Sequence, residues 1–298
     1  DCSITVNDGA VISAPNGIAI YHPELGTVTV NGGTISGHTG IELCAGKLVV
    51  SGGTITSTGD NTDATGSQNA ILDGAAISII NRNYPGGTPT AEITGGTIKA
   101  TGTGLTVKAY DYTGNTVAEW SNVSESVNIS GGTFSSIPTN MDALCKDGYI
   151  PVKNAEGYAV TEGTYVAEVD GKKFASLAEA IEAAENGGTI TLLADVSDAS
   201  DMWVTKNLTI DFGTYTVTGK AGAQVLKVSD AKVTLKGTTG GINGGAGGNN
   251  IAVLAYTDAD ITIEGGVYTV GGDANNNGNA TIYVVGNGKV TINGGTFS

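Results

Sequence analysis

The feature that most constrains this chain is a five-residue signature: a polar residue, two glycines, Thr in six of seven copies, and a large apolar residue. Glycine tolerates positive φ and allows close backbone approach, so the signature is typical of a tight corner that leads into a strand. The seven copies lie at residues 31–35, 51–55, 94–98, 130–134, 186–190, 264–268 and 293–297.

Short segments of alternating apolar and polar residues precede most copies, as in Val28-Thr29-Val30. Recurrence every twenty to thirty residues is typical of a solenoid, and short strands with glycine corners indicate a β-solenoid. Residues 17–21 and 40–44 align 23 residues apart as strands of successive coils. This alignment predicts that Ile18 stacks over Ile41 and Tyr21 over Cys44.

Composition and charge narrow the classes of partner. The chain has 47 glycines, 40% hydrophobic residues and a net charge of −15. An acidic surface repels phosphate backbones and anionic headgroups, so we expect no nucleic-acid partner and no membrane insertion. No run of apolar residues approaches the length of about 20 residues that spans a bilayer. Cys2, Cys44 and Cys145 lack metal-ligand spacing, and we expect buried free thiols rather than disulfides.

The copies fall into two modules joined by a connector. Residues 1–137 form the first β-helix module, which begins in strand register without a capping helix, and residues 138–163 form a hairpin connector. Residues 164–298 form the second module, which opens with a helix at 176–185. Ser176 and Glu179 form a capping box, and we interpret the helix as an end cap, with a partner-binding helix as the alternative. We expect a piece of a longer chain with neighbouring modules.

The segment Val169-Asp-Gly-Lys-Lys-Phe-Ala-Ser-Leu-Ala-Glu-Ala-Ile-Glu-Ala-Ala, followed by Gly187-Gly-Thr-Ile-Thr-Leu-Leu, carries a family resemblance. It resembles the opening of right-handed parallel β-helix modules in large surface proteins of Gram-positive gut bacteria, which are similar in fold to pectate lyases. The resemblance implies an adhesive or display role in an extracellular protein, secreted or attached to the cell wall. The fold we expect is all-β: two tandem right-handed parallel β-helices with one short capping helix.

A hairpin at residues 108–120, with Gly114 and Asn115 at its tip, holds Tyr110, Tyr112 and Trp120. Aromatic rings stack on sugar faces, so these three residues are the predicted glycan-binding surface. In the alternative, the hairpin folds its rings onto the solenoid wall. Tyr110 and Tyr112 share one face of the hairpin, and Trp120 falls on the other.

Acidic loops suggest a weak calcium site, although no cofactor is required by the pattern. Asp273, Asn275 and Asn277 reproduce the first half of a calcium loop without its closing acid. Asp60 stands at the corresponding position of the first module, seven residues after its signature glycine, and Asp63 adds a second carboxylate. In the alternative, these loops are ordinary solvated turns, because Asn, Asp and Gly are also the residues favoured at turn positions with positive φ.

The leading function is a non-enzymatic adhesion or display module that binds glycans on a host or cell-wall surface. No catalytic residues are predicted, because His22, His38 and Arg82 stand without the partners that acid–base catalysis needs. The rival is a polysaccharide lyase or glycoside hydrolase of β-helix fold, which is analogy at the level of fold. A third class, ice binding, would use stacked Thr residues of the signature, although Lys99 interrupts that row.

Overall fold

The structure, a computed structural model, describes residues 2–65, 69–138, 140–272 and 278–298. The chain divides into two compact units, Asp1–Gly163 and Thr164–Ser298. Both units are built almost entirely from β-strands, and the described residues contain two short α-helices, α1 (Met141–Leu144) and α2 (Leu177–Ala183). The all-β prediction is confirmed. The predicted connector at 138–163 lies within the first compact unit.

The strands of the first unit are β1 (Ile4–Val6), β2 (Val11–His22), β3 (Thr27–Val30), β4 (Thr34–Leu43), β5 (Lys47–Val50), β6 (Thr54–Ser57), β7 (Ile77–Asn81), β8 (Thr90–Ile93), β9 (Thr97–Ala100), β10 (Val107–Thr113), β11 (Thr116–Ala118), β12 (Val127–Ile129), β13 (Thr133–Phe134), β14 (Tyr149–Asn154) and β15 (Gly157–Glu162). One sheet has the order β1-β3-β5-β8-β12, and all its pairs are parallel. In the larger sheet, the long strand β4 pairs in parallel with β2, β6 and β7, and β7 pairs in parallel with β10. The antiparallel pairs in this sheet are β10 with β11 and β15 with β13 and β14.

Stacked columns of apolar side chains form the core of the first unit. Val28 pairs with Leu48 in parallel register, and the column continues through Ala91 to Val127. All four side chains are buried. Because alternate residues of a strand share a face, each strand buries one row and exposes the next. Full burial of such a Val or Leu side chain stabilises the fold by about 1.5–3 kcal/mol.

The two signature glycines meet two different geometric demands. In six copies the second glycine has φ between 75° and 111°. A Cβ on the first glycine would meet backbone of an earlier corner, for example 2.3 Å from the Asn31 carbonyl oxygen at Gly52. The copy at 186–190 differs: Gly187 carries the positive φ and has open space around it, because this copy follows α2 instead of joining stacked corners.

The register between β2 and β4 differs from the prediction by two residues. Ile20, not Ile18, pairs with Ile41, and Tyr21 pairs with Glu42 rather than with Cys44. The register shifts between Ala14 and Ile18, a stretch that contains Pro15. Proline has no backbone N–H to donate, so the ladder is interrupted there. The shift places Tyr21 beside a buried carboxyl.

The strands of the second unit are β16 (Ala167–Val169), β17 (Lys172–Phe174), β18 (Gly188–Leu192), β19 (Val196–Ala199), β20 (Met202–Val204), β21 (Leu208–Asp211), β22 (Thr216–Gly219), β23 (Gln224–Val228), β24 (Lys232–Lys236), β25 (Gly241–Asn243), β26 (Ile251–Ala255), β27 (Asp260–Ile263), β28 (Val267–Thr269), β29 (Ala280–Val284), β30 (Lys289–Ile292) and β31 (Thr296–Phe297). From β18 onward the chain visits three sheets in turn. Their orders are β18-β21-β24-β27-β30, β19-β22-β25-β28-β31 and β20-β23-β26-β29, all with parallel pairs. The antiparallel strands β16 and β17 precede β18 in the first of these sheets.

The predicted helix is present as α2, which ends two residues earlier than expected. The hydroxyl of Ser176 accepts a hydrogen bond from the backbone N–H of Glu179 at 3.2 Å, which is the predicted amino-terminal cap. Leu177, Ala180 and Ile181 are buried and join the core of the second unit. The helix contacts β16, β17 and β18. The apolar face of α2 is therefore used in packing within its own unit.

Candidate functional site

An exposed group of aromatic side chains lies on the sheet β20-β23-β26-β29 of the second unit. Trp203, Tyr256 and Tyr283 are 47%, 46% and 47% exposed. We call these three residues the aromatic strip. Tyr256 follows directly after β26, and the other two stand within β20 and β29. Large rings usually lose their contact with water on folding, so three half-exposed rings on one sheet indicate a binding surface.

The parallel register sets the spacing of the strip. Trp203 pairs with Lys227, and Leu254 pairs with both Lys227 and Tyr283, so one row crosses four adjacent strands. Neighbouring strands lie about 4.8 Å apart, so the backbones of Trp203 and Tyr283 are separated by roughly 14 Å. A flat surface of this length suits an extended polymer better than a single small ring.

The Trp203 ring is held in place by two neighbours. Tyr256 meets it edge to face, with ring centroids 6.1 Å apart and planes at 82°. The Lys227 ammonium lies 5.1 Å from the centroid of the Trp203 ring and forms an ion pair with Asp201. A cation over an indole contributes about 0.5–1 kcal/mol at exposed sites. These contacts fix the ring while leaving half of it open to solvent.

The strip was not predicted from the sequence. Met202-Trp203-Val204 stands in a polar stretch without a signature, so it was not recognised as a strand. The signal that would have found it is the alignment of the row across repeats, because positions 203, 227, 254 and 283 follow one another at spacings of 24, 27 and 29 residues. That alignment needs the exact lengths of the loops, which vary.

The hairpin aromatics are buried instead of exposed. Strands β10 and β11 form the predicted antiparallel hairpin, but Tyr110, Tyr112 and Trp120 are only 5%, 3% and 3% exposed. Tyr110 and Tyr112 pack in a small cluster with Cys44 and Ile71, whereas Trp120 joins the main core of the first unit. The rings therefore present no open face to a sugar, which corrects that expectation in favour of the alternative. The physical reason is that the loop residues Ala64 and Ile71 pack against the two tyrosines, whereas Trp120 enters the main core.

Two carboxyl groups, Glu42 and Asp73, are enclosed in that small cluster. Both side chains are fully buried. Asp73 accepts hydrogen bonds from the Ser78 hydroxyl at 2.6 Å, the Ala75 backbone N–H at 3.0 Å and the Tyr110 hydroxyl at 3.2 Å. Burial raises the pKa of Asp73 because the charged form loses its hydration, and the hydrogen bonds oppose this rise.

Glu42 is held by fewer donors than Asp73. It accepts a hydrogen bond from the Ile71 backbone N–H at 2.8 Å and another from the Cys44 thiol at 3.3 Å. The pKa of Glu42 is raised to about 7, chiefly because burial removes the hydration of the charged form; the charge of Asp73 also raises it, and the two donors and Arg82 oppose the rise. Strongly shifted carboxyls are common at functional sites. Here both carboxyl groups are sealed from solvent, so a substrate has no place beside them.

The acids Asp60 and Asp63 already have partners. Asp60 accepts a hydrogen bond from the Thr103 hydroxyl at 2.8 Å, and this bond lowers the pKa of Asp60. The Lys108 ammonium contacts Asp63 Oδ1 at 3.1 Å, Asn61 Oδ1 at 3.1 Å and the Thr62 carbonyl oxygen at 2.7 Å. An ammonium group thus occupies the point where the oxygens of this loop converge.

The remaining predicted ligands cannot be placed beside these acids. Asp273, Asn275 and Asn277 lie outside the described residues. Within residues 2–65, 69–138, 140–272 and 278–298, no group of three or more His, Cys, Asp or Glu side chains is close enough to hold a metal ion. The calcium site at residues 273–277 stays a prediction.

The sequence also draws attention to the three cysteines and to Arg82. Cys44 and Cys145 are buried free thiols, but Cys2 is exposed, which corrects the expectation of three buried thiols. The Arg82 guanidinium lies 5.1 Å from the ring centroids of both Tyr84 and Tyr112, and it donates to the Asn69 carbonyl oxygen at 2.8 Å. Arg82 therefore ties two loops to the sheet.

A column of Thr side chains runs along the outer face of the sheet β18-β21-β24-β27-β30. Its members are Thr189, Thr209, Thr234, Thr262 and Thr291. The columns on either side carry charges, with Lys232, Asp260 and Lys289 on one side and Asp211 and Lys236 on the other. The array of hydroxyl groups is one residue wide. In the first unit Lys99 pairs in register with Thr56, so a charged side chain stands in that row.

Comparison with protein-family models, curated proteins and solved structures finds no match. Among the helices of the described ranges, none is long and apolar enough to cross a membrane.

Proposed function

We propose that the protein is a non-enzymatic adhesion or display module that binds glycans through the aromatic strip, and that both units are right-handed parallel β-helices. Parallel pairing of the strands that recur along the chain supports a coil, because strands that pair in parallel need a crossover. The right-handed sense rests on the general rule that such crossovers are right-handed in about 98% of cases. An extracellular location, secreted or attached to the cell wall, remains part of the proposal.

The observation that carries the glycan proposal is the exposure of Trp203, Tyr256 and Tyr283 together on one sheet. Aromatic rings offer an apolar face to the C–H groups of a sugar, and Tyr adds a hydroxyl for hydrogen bonding. The net charge of −15 disfavours anionic polymers. The ligand class that fits is therefore a neutral polysaccharide, as on a cell wall or host surface.

A glycan array with the full chain tests this proposal. We expect binding to neutral glycans that weakens at least tenfold in Trp203→Ala, about 1.4 kcal/mol of lost binding free energy. Tyr215→Ala is the matched control, because Tyr215 is an exposed ring outside the strip and its loss should leave affinity unchanged. If the unaltered chain binds none of the glycans, or Trp203→Ala binds them as well as it does, the proposal fails.

The enzymatic rival is tested on the same samples. Reducing-sugar and unsaturated-product assays should give no turnover with any glycan that binds, because the buried carboxyls Glu42 and Asp73 are not open to substrate. Product formation that disappears in Glu42→Gln would replace the adhesion proposal with a polysaccharide-degrading one.

A further inference from the structure

The carboxylate of Asp201 lies at the margin of the aromatic strip. Asp201 stands directly before β20, and the buried Met202 separates it from Trp203. The Lys227 ammonium lies 5.1 Å from the centroid of the Trp203 ring and forms an ion pair with Asp201 Oδ1. Because one ammonium group contacts both, the carboxylate and the indole ring are close neighbours.

Exposure to solvent divides the roles of the two charged groups. The Lys227 side chain is only 13% exposed, whereas the Asp201 side chain is 60% exposed. Lys227 is therefore largely covered, and the Asp201 carboxylate is open to a ligand. A carboxylate offers about four acceptor positions to hydrogen-bond donors. The ion pair with Lys227 uses part of these positions, and the rest remain for donors from outside the chain.

The backbone holds Asp201 at a corner between β19 and β20. Its φ is 52°, in the left-handed region that Asp and Asn enter more readily than most residues. Its N–H donates to the Gln224 carbonyl oxygen at 2.9 Å, which ties the corner to the start of β23. An acceptor that is already held in place loses little conformational freedom when a ligand binds. Asp201 is thus a preorganised acceptor beside the exposed Trp203 ring.

A carboxylate in this place suits some sugars better than others. A sugar that stacks on an aromatic ring turns its C–H face towards the ring, and its hydroxyl groups point past the rim of the ring. Free hydroxyls can donate to the Asp201 carboxylate, and hydrogen bonds to a charged acceptor are roughly twice as strong as neutral ones. A methylated hydroxyl has no hydrogen to donate, and the carboxylate of a uronic acid meets a like charge.

We propose that Asp201 determines the specificity of the aromatic strip: its carboxylate accepts hydrogen bonds from free hydroxyls of the sugar stacked on Trp203 and disfavours a uronic acid there. The inference rests on the proposed glycan function and narrows its ligand class. The preferred ligand is a neutral polysaccharide whose sugars carry unsubstituted ring hydroxyls. Lys227 is a positioning residue, because it contacts both the ring and the carboxylate.

Isothermal titration of the full chain with three neutral probes, cellohexaose, mannohexaose and galactohexaose, tests the role of Asp201. Each probe is also prepared as its methyl ether, blocked at the ring hydroxyls, and as its uronate, oxidised at the primary hydroxyls. For the hexaoses that bind, Asp201→Asn should weaken the affinity about tenfold, because a charge-assisted hydrogen bond is lost. The affinity for the methyl ether, which lacks this bond, should change by less than about twofold. The matched control Asp198→Asn alters an exposed Asp of β19 with a φ of 53° and should leave every affinity unchanged.

A purely structural role for Asp201 predicts a different result. If Asp201 only kept Lys227 and Trp203 in place, Asp201→Asn would weaken binding of the hexaose and of its methyl ether by the same factor, and this outcome overturns the inference. The uronate gives a second readout. The preference for the neutral hexaose over its uronate should fall on the order of threefold in Asp201→Asn, a modest factor because the charges are exposed to solvent. An unchanged preference equally overturns the inference. Asp201→Gly, which suits the positive φ, should reproduce both effects.

The outcomes also separate this inference from the proposed function. If Trp203→Ala abolishes binding of a hexaose and Asp201→Asn does not weaken it, the aromatic strip remains the glycan site and Asp201 does not determine its specificity. If the unaltered chain binds none of the three hexaoses, the inference fails. Binding to no neutral glycan on the whole array overturns the proposed function as well.

Discussion

At the scale of single residues, the first glycine of each stacked corner is required by what lies behind it. A Cβ on Gly52 would stand 2.3 Å from the Asn31 carbonyl oxygen, and one on Gly95 would stand 2.4 Å from that of Ser51. Backbone cannot yield as a flexible side chain does, so the strain must spread into the stack. The corner is therefore specified by packing between repeats as well as by local turn geometry.

We expect Gly52→Ala to lower the free energy of unfolding of the first unit by about 1–3 kcal/mol, the usual cost of overpacking. Gly17→Ala is the matched control, because the nearest atom to its Cβ is 3.9 Å away. Denaturant unfolding followed at Trp120, in a Trp203→Phe background, reports on the first unit alone. Equal stability of the two variants would contradict the stacking argument.

A second residue-scale prediction concerns the buried ammonium of Lys108, whose side chain is only 12% exposed. Lys108→Met removes the donor to the oxygens of Asn61, Thr62 and Asp63, which water can then reach, and should lower the free energy of unfolding by about 1–2 kcal/mol. Lys47→Met, which breaks an exposed ion pair with Glu92, should cost less than about 1 kcal/mol. The same unfolding measurement compares them.

The position of the Lys108 ammonium also predicts how the loop of Asp60 and Asp63 responds to calcium. In the unaltered chain about 10 mM calcium should not raise the melting temperature of the first unit, because the ammonium already fills the oxygen cluster. A calcium-dependent rise that EDTA reverses would show that the ion displaces Lys108 or binds elsewhere in the unit.

At the scale of elements, α2 illustrates what a local pattern can predict. The Ser176 cap and the apolar face of the helix are both encoded within ten residues, and the structure shows both. Ser176→Ala should therefore destabilise the second unit by about 1 kcal/mol, whereas Ser200→Ala, an exposed serine, should change it by less than 0.5 kcal/mol. Thermal unfolding followed at Trp203 measures the difference. No difference would mean that packing alone holds the helix.

The hairpin of β10 and β11 shows where local pattern is insufficient. Its strands and its tip follow from the sequence, and the structure confirms them, whereas Trp120 lies beyond the end of β11 and packs in a different cluster from Tyr110 and Tyr112. The burial of its tyrosines was not predictable, because Ile71 and Ala64 are separated from Tyr110 by three strands, β7, β8 and β9. The predicted register between β2 and β4 was wrong for a related reason, because the irregularity near Pro15 has no counterpart in the next repeat.

At the scale of the whole molecule, the regular repeat made the all-β fold predictable from the sequence, whereas the aromatic strip and the buried carboxyls depend on loop lengths that differ between repeats. Trp203 and Tyr283 meet on one sheet only because each intervening loop has the length that restores the register. Glu42 and Asp73 meet only because the chain between β6 and β7 returns to the sheet, where Ile71 donates to Glu42 and Ser78 donates to Asp73. Periodic interactions can be read from any one repeat, but these contacts require the complete chain.

The two units provide a last prediction, because each contains one of the two tryptophans, Trp120 and Trp203. In the folded first unit the pKa of Glu42 is raised to about 7, whereas the unfolded chain releases this proton near 4.5. The proton therefore stabilises the fold fully below the unfolded value, and that stability is lost as pH rises through about 7. The loss should reach at most about 3 kcal/mol.

In the Trp203→Phe variant, the unfolding midpoint reported by Trp120 should shift to a lower denaturant concentration between pH 5.5 and pH 8.5. Adding Glu42→Gln to this variant should remove most of that shift. With Trp120→Phe, unfolding reported by Trp203 should depend less on pH over the same range, because Glu42 and Asp73 both belong to the first unit. General repulsion within an acidic chain would instead destabilise both units alike as pH rises. Equal shifts in the two reporter chains would therefore assign the effect to net charge and not to the buried pair.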